Sequence, residues 1–181
     1  MYGYDDVCEM SIRAIKRLNE DGIPCVVLSK GVLPEELASL SRENIYGITL
    51  VSLDENYRNL YESGAAPYKD RIQALEKLKN KGCKTWVSME PYPTPNIVKQ
   101  DLGSILERIS FADKIIFGRT NYNKTVSQFP HVKTWYNDKT LEVVRFCKQH
   151  SIDYWIKRGT WTGACPIEDR LNDSLEISVA L

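Results

Sequence analysis

The chain has 181 residues, of which 43% are hydrophobic and 27% are charged. This length and composition predict one globular domain with a sizeable core, and they argue against disorder. The 24 basic and 24 acidic residues give a formal charge of zero, so there is no electrostatic case for non-specific nucleic-acid binding. No apolar run reaches the roughly 18 residues that a membrane helix needs, and the acidic N-terminus lacks the apolar core of a secretory signal.

The cysteine and histidine pattern predicts no metal site. Neither histidine, His131 or His150, has a partner at ligand spacing. The cysteines are scattered, and none of them forms a CxxC or CxxxCxxC motif; they are Cys8, Cys25, Cys83, Cys147 and Cys165. This usage is typical of free thiols in a reducing compartment, so we expect a cytoplasmic protein.

An amphipathic helix opens the chain. Its apolar face is predicted to contain Val7, Met10, Ala14, Ile15 and Leu18. Asp5 or Asp6 is a candidate cap for its start, and Gly22 follows its end. A helix with this pattern is expected to bury that face against a core.

Five apolar runs then predict five strands. They are CVVLSKG (25–31), IYGITLVSL (45–53), TWVSMEPYPTP (85–95), ADKIIFGRTNY (112–122) and DYWIKRG (153–159). Helical patterns lie between them: a short PEELASL helix after the first strand, a helix ending at Gly82, a helix around Leu102–Ile109, and a helix around Leu141–Cys147 that Asp138 could cap.

Alternating strands and helices predict an α/β fold with about five parallel strands joined by right-handed crossovers. Two arrangements fit this order, an open doubly wound sheet and part of a (β/α) barrel. Five strands are too few to close a barrel, which takes roughly 250 residues. We therefore expect one α/β domain over residues 1–163 and an irregular tail over residues 164–181.

Polar side chains follow every predicted strand, where parallel α/β folds place their sites. They include Ser29 and Lys30, Ser52 and Asp54, Glu90, Arg119 with Asn121 and Tyr122, and Lys157 with Arg158. Glu90 lies between an apolar strand and a Pro-rich turn, so it needs a partner such as Arg119 or Lys157. Arg71 is expected to anchor a helix start and to pair with Glu62. The convergence of these residues predicts a binding pocket.

Several common site motifs are absent from the sequence. There is no GxGxxG after a strand, no P-loop, no HExxH and no GxSxG. The nature of the pocket therefore has to come from the order of the strand-end residues. No residue is assigned a catalytic role.

That order resembles the radical SAM superfamily, and within it the spore photoproduct lyase-like branch of DNA repair photolyase-like proteins. The resemblance covers about residues 1–120. It is carried by CVVLSKG, ITLVSLDEN, SGAAPYKDRIQALEKLKNKG and VSMEPYPTP in that order. In that branch, a strand ending in Ser-Lys or Thr-Lys precedes a strand ending in a Ser motif, followed by Glu, Ala-Pro, Arg and a Pro-rich strand end.

The resemblance implies a site for S-adenosylmethionine. Lys30 and Ser52 would contact its carboxylate and ribose, and Ser88 to Glu90 would lie near its methionine part or the substrate. A lysine suits a carboxylate as a point charge, and a serine both donates and accepts. Nucleic acid is an expected partner only through this resemblance, and the substrate is not identified.

The sequence departs from the family at its front end. The family holds a [4Fe–4S] cluster on CxxxCxxC after its first strand, and this sequence lacks that motif. We therefore expect a partial barrel whose first strands are missing, and a chain that assembles no cluster by itself. S-adenosylmethionine and the cluster would be cofactors of a full-length parent enzyme. The strand at Cys25–Lys30 would become a sheet edge, which favours a homodimer or coverage by the N-terminal helix.

Two other functions remain open. One is a Schiff-base lyase or aldolase-like enzyme that uses Lys30 or Lys157, with Glu90 as the acid–base group. The other is a non-catalytic module that binds a nucleotide or a peptide.

Overall fold

Strands and helices alternate along residues 4–163, the part of the chain that this computed structural model describes. The strands are β1 (Val26–Ser29), β2 (Ile45–Thr49), β3 (Lys84–Tyr92), β4 (Lys114–Arg119) and β5 (Asp153–Ile156). The helices are α1 (Asp5–Glu20), α2 (Glu55–Tyr61), α3 (Tyr68–Asn80), α4 (Leu102–Arg108), α5 (Lys124–Ser127) and α6 (Val132–Gln149), with a 3-10 helix at Glu35–Ser39. Cys165 and the predicted irregular tail, 164–181, lie outside the described residues.

The five strands form one parallel sheet in the order β1-β2-β3-β4-β5. A doubly wound sheet requires the strand order to reverse, and this order never does. Consecutive strands with right-handed crossovers carry all their connections on the same face of the sheet, as in a barrel. The fold is therefore the α/β arrangement of a partial (β/α) barrel, as the sequence predicted.

One face of the sheet, which we call the outer face, is closed by helices. Side chains alternate along each strand, and the register aligns Ile48, Val87 and Ile115 on this face. They belong to one buried core with Leu75 of α3 and Val143 of α6. This continuous apolar layer supplies most of the burial that stabilises the fold.

The opposite face, which we call the inner face, carries both apolar and polar side chains and is partly open. It carries Val26 and Leu28 of β1, which are 37% and 48% exposed. Further along the sheet it carries Trp86, Ser88 and Glu90 of β3, by the same alternation. In a barrel, this face points toward the axis.

Two predicted caps are wrong. The backbone of Tyr4, and not Asp5 or Asp6, precedes α1, and no side chain caps that start. Asp138 lies inside α6, which begins at Val132 after His131 in a left-handed conformation. The apolar pattern around Leu141 was recognised, but the polar first turns of this helix hid its start.

One edge of the sheet is β5, and the other is β1, which pairs only with β2 among the described strands. Helix α1 packs against the core near it through Ile12 and Ile15, yet none of its residues is buried. Whether a second molecule covers this edge stays a prediction. In residues 4–163 no helix is both long and apolar enough to cross a bilayer.

Candidate functional site

The predicted site residues lie at or near the carboxyl ends of the strands, and two of them, Lys30 and Glu90, form ion pairs there. Lys30 follows β1 directly and contacts Glu62 at the end of α2. Glu90 lies near the end of β3 and contacts Lys157, which follows β5 directly. Lys157 was one of the two partners expected for Glu90, and the Glu62–Arg71 pair was predicted, but the contact between Lys30 and Glu62 was not.

Glu62 joins two cations at the ends of β1 and β2, and we call this group the Lys30–Glu62–Arg71 triad. Its carboxylate lies 2.8 Å from Lys30 Nζ and 2.9 Å from Arg71 Nη2. The Glu62 and Arg71 side chains are 3% and 0% exposed, whereas Lys30 is 43% exposed. One negative and two positive charges leave the triad with a net positive charge, which reaches solvent through Lys30.

Arg71 is held by hydrogen-bond acceptors around its guanidinium. Its Nε donates to the Ala66 carbonyl at 2.7 Å, and its Nη1 donates to the Thr49 carbonyl at 2.9 Å. The guanidinium also stacks over the Tyr68 ring, 4.7 Å from its centroid. A buried arginine with these contacts ties the end of β2 to the start of α3 and holds Glu62 in place.

Two tyrosines near the triad have raised pKa values. Burial, and after it the negative charge of Glu62, raises the pKa of Tyr57 to about 12. The same two causes raise the pKa of Tyr68. Both phenols therefore stay neutral at physiological pH, and neither supplies a further negative charge to offset the triad.

The two serines predicted to bind a cofactor lie deeper than Lys30. Ser52 is 0% exposed, and its Oγ accepts a hydrogen bond from the Asp54 amide at 3.0 Å, which closes the turn after β2. Ser88 is 5% exposed and lies on the inner face beside Thr49. As placed, Lys30 is open to a ligand, whereas Ser52 is closed to solvent.

The side chain of Glu90, at the end of β3, passes over Gly118 of β4 and contacts Lys157 after β5. Glu90 Oε2 lies 3.3 Å from Lys157 Nζ, and the two side chains are 30% and 34% exposed. A Cβ added at Gly118 would lie 2.9 Å from Cγ and Cδ of Glu90, so only glycine lets the carboxylate lie across β4. The β3–β4 register shifts between Met89 and Tyr92, and such irregularities re-aim side chains.

A second glycine on the inner face admits Trp86. A Cβ added at Gly47 would lie 2.3 Å from the indole Nε1. The ring therefore lies across β2, and its Nε1 donates to the Val27 carbonyl of β1 at 3.2 Å. Sequence reasoning assigned no role to Gly47 or Gly118. A lone glycine in the middle of a strand, which often marks a close approach, is the signal that could have found both.

The described cysteines do not form a place for an iron–sulfur cluster. Such a cluster needs several thiolates together, but Cys83 and Cys147 are buried at separate places in the fold. Burial raises the pKa of Cys83, and it raises that of Cys147 to about 12, which disfavours the thiolate. Within residues 4–163 no group of three or more His, Cys, Asp or Glu residues could hold a metal ion.

The chain is similar to one curated protein of unknown function. It is 28% identical over 92 residues to the uncharacterized protein ORF301 of Acidianus two-tailed virus. The matched stretch covers 49% of this chain. The match spans only 31% of that viral protein, so this chain corresponds to less than a third of its relative's length. No solved structure matches the chain.

The sequence model of the radical SAM superfamily matches residues 2–109. That stretch is more than half of the chain and includes β1, β2 and β3 with the whole triad. The chain belongs to the radical SAM superfamily.

Proposed function

We propose that the chain is a catalytically incomplete part of a radical SAM enzyme of the spore photoproduct lyase-like branch, and that it binds S-adenosylmethionine at the strand ends. The observation that carries this proposal is the Lys30–Glu62–Arg71 triad, whose net positive charge is exposed only through Lys30. Family membership over residues 2–109 supports the identity of the ligand.

The chemistry of Lys30 suits the carboxylate of S-adenosylmethionine. An ammonium has three donors, so Lys30 can keep its contact with Glu62 and still donate to a ligand. Glu62 restricts the lysine to one direction, which lowers the entropy lost on binding. Ser88 lies on the same inner face, and we place the methionine or substrate side of the ligand near it and Glu90.

We assign Ser52 to the ribose, as the family resemblance implies. Its Oγ already accepts from the Asp54 amide, but its own proton is available to a ribose oxygen. Because Ser52 is closed to solvent, this contact requires the turn after β2 to shift on binding. S-adenosylmethionine, when bound, would supply the radical chemistry of the family, and the described residues of this chain would bind and orient it.

Both lysines considered for Schiff-base chemistry contact a glutamate. A Schiff-base lysine must present its nitrogen to a carbonyl carbon, whereas each of these nitrogens lies against a carboxylate oxygen, at 2.8 Å for Lys30 and 3.3 Å for Lys157. The geometry therefore supports a role for Lys30 in holding an anion more than a role as a nucleophile.

Isothermal titration calorimetry tests the proposal. We expect S-adenosylmethionine to bind the wild-type chain and Lys30→Met to weaken that binding by about tenfold or more, because a hydrogen bond to a charged group is lost. Lys77→Met is the matched control, because Lys77 also contacts a glutamate, Glu35, but lies in the last turn of α3, away from the carboxyl ends of the strands. It should leave the affinity within about twofold.

A second ligand tests the contact between Lys30 and the ligand carboxylate separately from the contacts with adenosine. 5′-Methylthioadenosine keeps the adenosine part but has no carboxylate, so Lys30→Met should not change its affinity. Undetectable binding of S-adenosylmethionine to the wild-type chain would contradict the proposal. Equal losses for Lys30→Met and Lys77→Met would contradict the role of Lys30.

A further inference from the structure

Helix α1 leaves an apolar stripe facing solvent. Val7, Met10, Ala14 and Leu18 recur at spacings of three and four residues, which places them along one line of the helix. Met10 and Leu18 are 57% and 40% exposed, although their pattern predicted a core face. The helix instead contacts the core through a different line, which includes Ile12 and Ile15.

We propose that this stripe is a dimer interface, in which α1 packs antiparallel against α1 of a second copy of the chain. The proposal does not depend on the proposed function. With the two-fold axis passing through the stripe midway between Met10 and Ala14, Met10 packs against the partner's Ala14, and Val7 packs against the partner's Leu18. A long side chain then meets a short one at each level, which is how helix surfaces interdigitate.

The charges beside the stripe favour the antiparallel direction. Asp6 near the start of α1 and Arg17 near its end lie on the same flank of the stripe, by the helical spacing of 11 residues. Antiparallel packing places Asp6 beside the partner's Arg17 at both ends of the interface, whereas a parallel two-fold pair would put these two charges on opposite sides of the interface and form no such ion pair.

Arg17 is available for that contact. Its side chain is 71% exposed, and it pairs only at 3.4 Å with Glu20 and at 3.4 Å with Asp21. Exposed ion pairs of this kind are weak and exchange partners at little cost. The chain as a whole has a formal charge of zero, so no long-range repulsion opposes association.

The composition of α1 makes a lipid surface a poorer occupant than a second copy. Helices that lie on membranes carry polar faces rich in Lys and Arg. The α1 sequence DDVCEMSIRAIKRLNE has four acidic and three basic residues, so its polar face is not cationic. A single helix pair is smaller than a standard stable interface, so we expect a dimer that dissociates on dilution.

Sedimentation velocity over a range of concentrations tests the proposal on the full chain. We expect a concentration-dependent monomer–dimer equilibrium for the wild type. Ala14→Arg should raise the dimer dissociation constant at least tenfold, because it places a long cation in the centre of the stripe. Ala14 is exposed, so this variant should keep its melting temperature and circular dichroism spectrum.

Charge reversal distinguishes this interface from other contacts. Asp6→Arg and Arg17→Asp should each weaken the dimer by up to about fivefold, and the double reversal should restore it. Leu28→Lys, on the sheet edge, should have no effect. A wild-type monomer at all concentrations would overturn the proposal. A dimer that Leu28→Lys abolishes and Ala14→Arg leaves intact would overturn it too, because that dimer would use the sheet edge.

Discussion

Glu62 and Glu90 both meet a lysine at the carboxyl ends of the strands, but their surroundings differ. Glu62 is 3% exposed and also holds the fully buried Arg71, whereas Glu90 is 30% exposed and has Lys157 beside it at 3.3 Å. A buried carboxylate must keep its partner, while a half-exposed one can turn to water. The side chains at the ends of β1 and β2 are therefore held in place without a ligand. Glu90 and Lys157, at the ends of β3 and β5, can change position.

The largest expected effect comes from removing the buried carboxylate. Glu62→Ala should lower the free energy of unfolding by about 3–5 kcal/mol, because it leaves Arg71 buried without a counter-ion. Glu90→Ala is the matched change at the other end, and it should cost no more than about 1 kcal/mol. Urea denaturation of both variants measures the difference, and equal losses would show that the two ends do not differ in this way.

Alanine substitution of the two inner-face glycines should also destabilise the chain unequally, and by less than Glu62→Ala does. Gly47→Ala should cost about 1–3 kcal/mol, because the added methyl group would overlap the Trp86 ring. Gly118→Ala should cost less, since Glu90 is flexible enough to move away.

A double-mutant cycle checks whether the loss of stability in Gly47→Ala comes from overlap with the Trp86 ring. In a Trp86→Ala background, Gly47→Ala should no longer destabilise the chain, because the ring that it would overlap is gone. Thermal unfolding of the four proteins gives the coupling. A full loss in the Trp86→Ala background would contradict this reading of Gly47.

The smallest expected effect on stability concerns Lys30. Lys30→Met should change the free energy of unfolding by about 1 kcal/mol or less, because Arg71 still neutralises Glu62. Urea denaturation checks this value alongside Glu62→Ala. A loss as large as that of Glu62→Ala would show that Lys30 is a structural partner of the carboxylate and is not available to a ligand.

The fold was largely predictable from the sequence, since each strand is a short apolar run followed by polar residues. The order of the elements predicted parallel strands, but it could not choose between a doubly wound sheet and a barrel. That choice depends on strand order, which depends on long-range pairing. The predicted buried face of α1 was wrong for Met10 and Leu18, which are exposed, and right for Ile15, which packs against the core. The apolar residues of this helix fall along two lines, and their spacing does not show which line faces the sheet.

The site was predictable in position and less so in its contacts. Glu62 and Arg71 are nine residues apart around a helix start, so their pairing was within reach of sequence reasoning. Lys30 lies 32 residues before Glu62, and the two meet only because the chain passes from β1 through β2 to α2. The roles of Gly47 and Gly118 depend on which side chain leans across a neighbouring strand, and no spacing rule gives that direction.

The indole of Trp86 has a further consequence for the motions of the sheet edge. Its hydrogen bond to the Val27 carbonyl links β1 to β3 across β2, so β1 cannot detach without freeing the ring. Opening of the edge should then be a concerted event that involves three strands rather than fraying of one. Amide hydrogen exchange in β1 and the fluorescence of Trp86 should report the same opening equilibrium.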